Sequence, residues 1–247
     1  MRPLPITAVT AALLAAGALA AQAAAPVAAA PSSAGAITFV DGEASRIVGG
    51  KTVKLKAGAG VYQGDVIETA RRTRLELTLL DQSVLRLGPL SRVELDSAAF
   101  GKSPDDRKVS AKLRVGNVWA TVTRTLGGEA RFEVKTENAV AGVRGTTFRV
   151  DASKDKSCVV KVYSGTVAVA GGPLPRPQHG TEPAGGGQRQ QVAGPKEVTR
   201  EQWERIVTAM MQVKVAADGS AAEPEAFAMA DGDGWETWNR ERDAAVK

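Results

Sequence analysis

The sequence has little of what most enzyme chemistry needs. Among 247 residues there is one cysteine and one histidine. A single thiol cannot close an internal disulfide, and zinc sites built from Cys and His clusters are excluded. A Ser-His-Asp triad would have to recruit His179, which sits in "GGPLPRPQHGTEPAGGG", a stretch too rich in Pro and Gly to hold a base in register. Aromatic residues make up only 4% of the chain. Beyond the first residues no hydrophobic run is long enough to cross a bilayer. Cys158 lies in "SCVVKVY", a strand-like run that makes it a buried, inert thiol. "DGDG" at Asp231–Gly234 resembles half of a calcium loop but lacks the third acidic position and the closing glutamate. No metal and no cofactor are expected.

The amino terminus is a different kind of segment. "MRPLPITAVTAALLAAGALAAQA" combines Arg2, an apolar Ala/Leu run and a small-x-small ending. This predicts a secretory signal peptide over residues 1–25, and hence a periplasmic or secreted protein with no stable membrane span after cleavage. Losing Arg2 takes the formal charge from +5 to +4. The remaining charge is interspersed, as in "RLEL", "SRVEL" and "RFEVK", with one denser cluster, "ARRTR" at Ala70–Arg74. Mixed charge on an exported chain argues against a nucleic-acid partner.

What the sequence has in quantity is period-two alternation. Leu75, Leu77 and Leu79 fall on one face, followed by Leu85 and Leu87, Val93 and Leu95, Val118, Ala120 and Val122, Phe132 and Val134, and Phe148 and Val150. Alternation of this kind predicts half-buried antiparallel strands. About a dozen such strands, punctuated by glycine turns, predict an all-β antiparallel sandwich or solenoid-like stack of short strands and hairpins. "VDGE", "LGGE" and "YSGT" fit short hairpin connections. The expected organisation is a flexible segment at 26–35, a β domain at 36–172, a Pro/Gly-rich linker at 173–187 and a helix-containing segment at 188–247.

Two features stand apart from that pattern. Thr199 and Gln202 form a capping-box pair, and Trp203, Ile206, Val207, Met210 and Met211 follow at helical spacing. They predict a short helix ending near Met210 and giving way to a strand. Trp203, Met210, Met211, Trp235 and Trp238 are the candidate partner contacts. Trp235 and Trp238 would face each other on a helix. The second feature is "NAVAGVRGTTFRV", where Gly142 and Gly145 bracket Val143 and Arg144 before Thr146 and Phe148 resume the alternation. It predicts a tight bend in which Arg144, with five donors, braces backbone carbonyls inside the fold. The alternative is chemical: the Thr146 hydroxyl attacks the Gly145 carbonyl and nicks the chain.

"TENAVAGVRGTTFRV", followed by "VVKVYSGTVAV", resembles the signature of the FecR-type domain family, named for the ferric-citrate regulator. "GDVIETARRTRLELTLLDQSVLRLGPLSRVEL" is similar to the family's paired hairpins and "LRVGNVWATV" to its central strand pair. The resemblance implies an extracytoplasmic β-rich module. The best-known members are transmembrane anti-sigma regulators that relay a signal from an outer-membrane transporter. The stretch before the apolar run is too short for a sigma-binding domain, so sigma regulation by this chain alone is not expected. Gln82 stands where the family usually has glycine, which disfavours a type I′ turn and implies another loop geometry. The resemblance also implies that self-cleavage at Gly145–Thr146 is worth testing. The expected function is a non-enzymatic binding or scaffolding module for an envelope protein or polysaccharide, with a periplasmic sensor as the alternative.

Overall fold

The computed structural model describes residues 32–101, 106–124, 131–171, 203–229 and 232–245. Strands fall into two sheets. Sheet I contains β1 (Ser33–Asp41), β4 (Gly60–Tyr62), β6 (Arg74–Leu79), β7 (Val84–Leu87), β12 (Thr147–Ala152), β13 (Cys158–Ser164), β16 (Met211–Val215) and β17 (Glu225–Ala226). Sheet II contains β2 (Ala44–Val48), β3 (Lys51–Lys54), β5 (Val66–Thr69), β8 (Arg92–Ala99), β10 (Arg131–Lys135), β11 (Ala139–Val143), β14 (Thr166–Gly171) and β15 (Trp203–Thr208). The long β9 (Lys108–Thr121) belongs to both: residues up to Val115 pair with β8 and β10, and Gly116–Thr121 pair with β7 and β12. All pairings are antiparallel except β9 with β10. A single helix, α1 (Gly234–Ala245), follows.

The alternating apolar residues do what their period demands. Leu75, Leu77, Leu79, Leu85, Leu87, Val93, Leu95, Val118, Ala120, Phe132, Val134, Phe148 and Val150 are all buried, and both sheets contribute to one apolar cluster. Cys158 is buried in the same core. The fold is therefore all-β with one carboxy-terminal helix, and its sheets do not close into a barrel.

The glycine turns work differently from the expectation. "VDGE" and "YSGT" are not hairpins, because the strands on either side of each lie in different sheets: β1 does not pair with β2, nor β13 with β14. They are corners that carry the chain from sheet I to sheet II. "LGGE" lies outside the described residues.

These corners meet other corners, and a close approach explains their glycines. A Cβ on Gly42 would come within 2.6 Å of Thr73 Oγ1, and one on Gly165 within 2.6 Å of Thr146 Cγ2. Gly116, where β9 changes sheets, presses in the same way on Ser91. All three glycines have positive φ. Two of the three hydroxyls then bond the residue after the glycine: Glu43 N donates to Thr73 Oγ1 at 3.0 Å, and Asn117 N donates to Ser91 Oγ at 2.9 Å. Thr146 Oγ1, the third, is buried with no hydrogen-bond partner.

Two further local expectations change. Residues 203–211 are not helical but form β15, a turn at Met210 with φ 63°, and β16. Period two wins over the helical stripe because Val207 and Val213 are buried while Ile206 is 57% exposed. Thr199 and Gln202 lie outside the described residues, as do the leader over 1–25 and the linker over 173–187. The turn at Gln82 does adopt another geometry. Gln82 N donates to Leu79 O, Leu79 N donates to Ser83 O, and Gln82 itself takes φ 67°. This is a three-residue hairpin loop whose left-handed position is filled by glutamine instead of glycine.

Candidate functional site

The in–out alternation that buries Leu75 and Leu77 turns Glu76 to the opposite face of sheet I. Strand register then sets a continuous row across that face. Phe39 is opposite Glu76, Glu76 opposite Arg86, Arg86 opposite Trp119, Trp119 opposite Arg149, Arg149 opposite Lys161 and Lys161 opposite Gln212. Most of this row is not exposed. Arg86 and Trp119 are each 1% exposed, and Glu76 and Arg149 are also buried. The cover is α1.

Asp233 starts the helix. Its Oδ1 accepts hydrogen bonds from Trp235 N (3.0 Å) and Glu236 N (3.1 Å), an N-cap arrangement. Its Oδ2 is 2.6 Å from Arg149 Nη1. Burial would raise the Asp233 carboxyl, but the Arg149 guanidinium and the two N–H donors lower it. Arg149 also donates to Asp151 at 2.8 Å, and Asn117 donates to the same carboxylate. One turn on, Glu236 accepts a 3.0 Å hydrogen bond from the Tyr163 hydroxyl. Burial and the Glu236 carboxylate push the Tyr163 phenol well above its ordinary range.

At the far end of α1 a second ionic cluster forms. Arg86 donates through Nε to Glu76 (2.6 Å) and through Nη1 to Asp243 (2.6 Å) and Asn239 O (3.3 Å). Asp243 also accepts from Trp119 Nε1 at 3.0 Å and Thr121 Oγ1 at 3.2 Å. Arg242 forks onto both Glu76 oxygens at 2.8 and 2.9 Å, and Thr38 donates to Glu76 at 2.9 Å. Burial alone would raise the Glu76 carboxyl, but the bonds from Arg242, Arg86 and Thr38 outweigh it and lower it to about 2. Between the two clusters Trp235 and Trp238 stack at 5.3 Å. Trp235 packs over Gly88, where a Cβ would meet its ring at 3.2 Å, and Trp238 lies 5.7 Å from Phe39. Arg242 sits 4.5 Å over the Phe39 ring.

In this row Glu76, Asp151, Asp233 and Asp243 are each paired with a guanidinium. Sheet II presents a second surface. Among the described residues β15 pairs only with β14, and no other described strand pairs its outer edge. Beside it, Val140, Gly142, Ala168, Ala170 and Ile206 floor a shallow trough rimmed by Arg131 and Arg144.

The corner at Gly145 joins β11 in sheet II to β12 in sheet I. Gly145 has φ 64°, Thr146 is buried and Phe148 is in the core. Gly142 lies within β11 opposite Ala168, so one glycine makes the bend instead of two. Arg144 is exposed at this corner. The interior arginines are Arg86 and Arg149.

Residues 65–168 match the sequence pattern of the family described as FecR protein. That span, less than half of the chain, is similar to the FecR family. The match runs from Asp65, at the entry to β5, to Ala168 in β14. Two crystal structures of a proposed anti-sigma factor from Parabacteroides distasonis ATCC 8503, at 1.65 and 2.50 Å resolution, are similar at 18% and 19% identity. Both have a TM-score of 0.46 and cover 70% of this chain, which spans 64% and 63% of theirs. A comparison with curated proteins found no match.

The fold does not gather the residues expected to contact a partner. Met210 caps the β15–β16 turn and Met211 packs on the core, while Trp235 and Trp238 face sheet I. Trp203 opens β15; its side chain lies outside the described set. The polar row escaped sequence reasoning because its members are scattered from Phe39 to Gln212. The available signal was the charge or aromatic set between paired apolar residues in "LEL", "LRL", "VWA" and "FRV".

Proposed function

We propose that this chain is a FecR-type protein exported to the bacterial cell envelope and acts there as a non-enzymatic binding or scaffolding module for a protein or polysaccharide, not for nucleic acid. The observation that carries this reading is the edge of β15 that no other described strand pairs, beside an exposed Ile206. Unpaired strand edges recruit extended partners by backbone hydrogen bonding, with side-chain troughs supplying selectivity. The leader-like amino terminus supplies the route. Among the described residues no helix is long and apolar enough to cross a membrane. The test is in-cell crosslinking from a photoreactive residue at Thr208, with Ile206→Lys as control. A discrete adduct in the envelope fraction that the control loses supports the reading. Recovery of the protein from the cytosol, or no adduct, overturns it.

A second reading, a self-processing sensor related to anti-sigma regulators, draws on the Thr146 hydroxyl. In the equivalent corners the hydroxyl is committed to backbone bonds, and here it is not. Attack of Oγ1 on the Gly145 carbonyl carbon would form an ester as the Gly145–Thr146 amide bond breaks, the hydroxyl proton passing to the released amine. Water would then split the ester. Intact mass of the exported protein decides: a fragment ending at Gly145 that Thr146→Ala abolishes supports it, and an uncut chain ends it.

A further inference from the structure

The outer face of sheet I concentrates Arg86, Trp119, Arg149 and Tyr163, residue types that dominate binding hot spots in protein interfaces. Here a helix of the same chain covers them, and three features mark weak points in its seating. Its buried residues, Glu236 and Asn239, are both polar. Trp235 Nε1, Glu236 Oε1 and Asn239 Oδ1 are buried without hydrogen-bond partners, and all three belong to the helix, while the row's own side chains are satisfied. Each such orphan loses its hydrogen bonds to water without replacing them. The helix is also entered through Gly232, with φ 96°, and Gly234, and nothing packs within 4 Å of where a Cβ would stand on either. A 12-residue helix is marginal by itself, and buried ion pairs contribute specificity more than stability.

We propose that this face of sheet I is a docking site for an acidic, tryptophan-bearing amphipathic helix of a partner protein, and that α1 occupies it in cis until displaced. The helix itself displays the recognition chemistry. One carboxylate enters the slot of Arg86, Trp119 and Thr121, a second meets Arg149, a third accepts from Tyr163, and an indole pair fills the space over Gly88. A partner helix with this spacing that buries no unpaired polar group of its own outcompetes α1. The site is independent of the β15 edge and stands whether or not that edge is used.

Hydrogen exchange on the intact wild-type chain is the first test. The α1 amides should exchange at least tenfold faster than those of β6, β7 and β9, because the helix lifts without global unfolding. Equal protection overturns the proposal. The second test titrates a fluorescent peptide of residues 231–247 into full-length Asp243→Asn and Trp235→Ala, the first weakening the hold of α1 on the ionic slot and the second removing its indole over Gly88. Each variant's fold is checked by its far-UV spectrum. Binding at least tenfold tighter than to wild type by either folded variant, lost when the peptide itself carries Asp243→Asn, supports the site. No gain in either folded variant overturns it. A concentration-dependent wild-type dimer that Asp243→Asn dissolves overturns the separate partner in favour of a second copy of this chain.

Discussion

Arg86 and Asp243 are 157 positions apart in the chain and 2.6 Å apart in the folded protein. The contact ties the span similar to the FecR family to a helix outside it, and it closes a network in which Glu76 is held by Arg86 on one side and Arg242 on the other. Removing Arg86 takes the paired guanidinium from Asp243 and one of two guanidiniums from buried Glu76. Arg86→Ala should therefore cost about 3–5 kcal/mol. The check is chemical denaturation, where the variant's midpoint must fall well below that of wild type. A midpoint within error of wild type would show that the network contributes nothing.

Glu76 makes stability acid-sensitive. Its carboxyl titrates near 2 in the folded state against an ordinary value of 4.5. A group with a lowered folded pKa stabilises fully above its unfolded value, and the contribution disappears as pH falls from 4.5 toward 2. The difference amounts to about 3 kcal/mol. Denaturation series between pH 7 and pH 2 should show this loss in wild type and a flatter profile in Glu76→Gln.

The hairpin at 203–215 is tested by two neighbouring residues. Val207 points into the core and Ile206 into solvent. Val207→Asp should destabilise by more than about 3 kcal/mol through an unpaired buried charge, and Ile206→Asp should stay within about 0.5 kcal/mol of wild type. Thermal melts of both variants separate the two. Equal effects would mean that the strand register is wrong.

Gly145 tests the corner. Its φ of 64° is left-handed, and a Cβ would come within 2.8 Å of Arg124 Cβ. Gly145→Ala should cost more than about 1 kcal/mol, combining backbone strain with a forced shift of Arg124. Urea midpoints of wild type and variant provide the measurement.

Much of this architecture was legible in the sequence, because period two is a local signal. Leu75, Leu77 and Leu79 announced both a strand and its buried face. The helical stripe from Trp203 to Met211 misled for the same local reason: apolar residues at three- and four-residue spacing also satisfy two short strands when a turn intervenes at Met210. Glycine corners were read as hairpins because a positive φ is needed in both, and only the pairing of β1 with β6 instead of β2 distinguishes them. The row beneath α1 depends on registers between strands distant in sequence, and no window along the chain contains that information.

Because β9 runs unbroken from one sheet into the other, neither layer can come apart while its neighbour stays intact. Its two halves are one covalent spar, so heat or denaturant should dismantle the seventeen strands in a single concerted step instead of peeling them layer by layer.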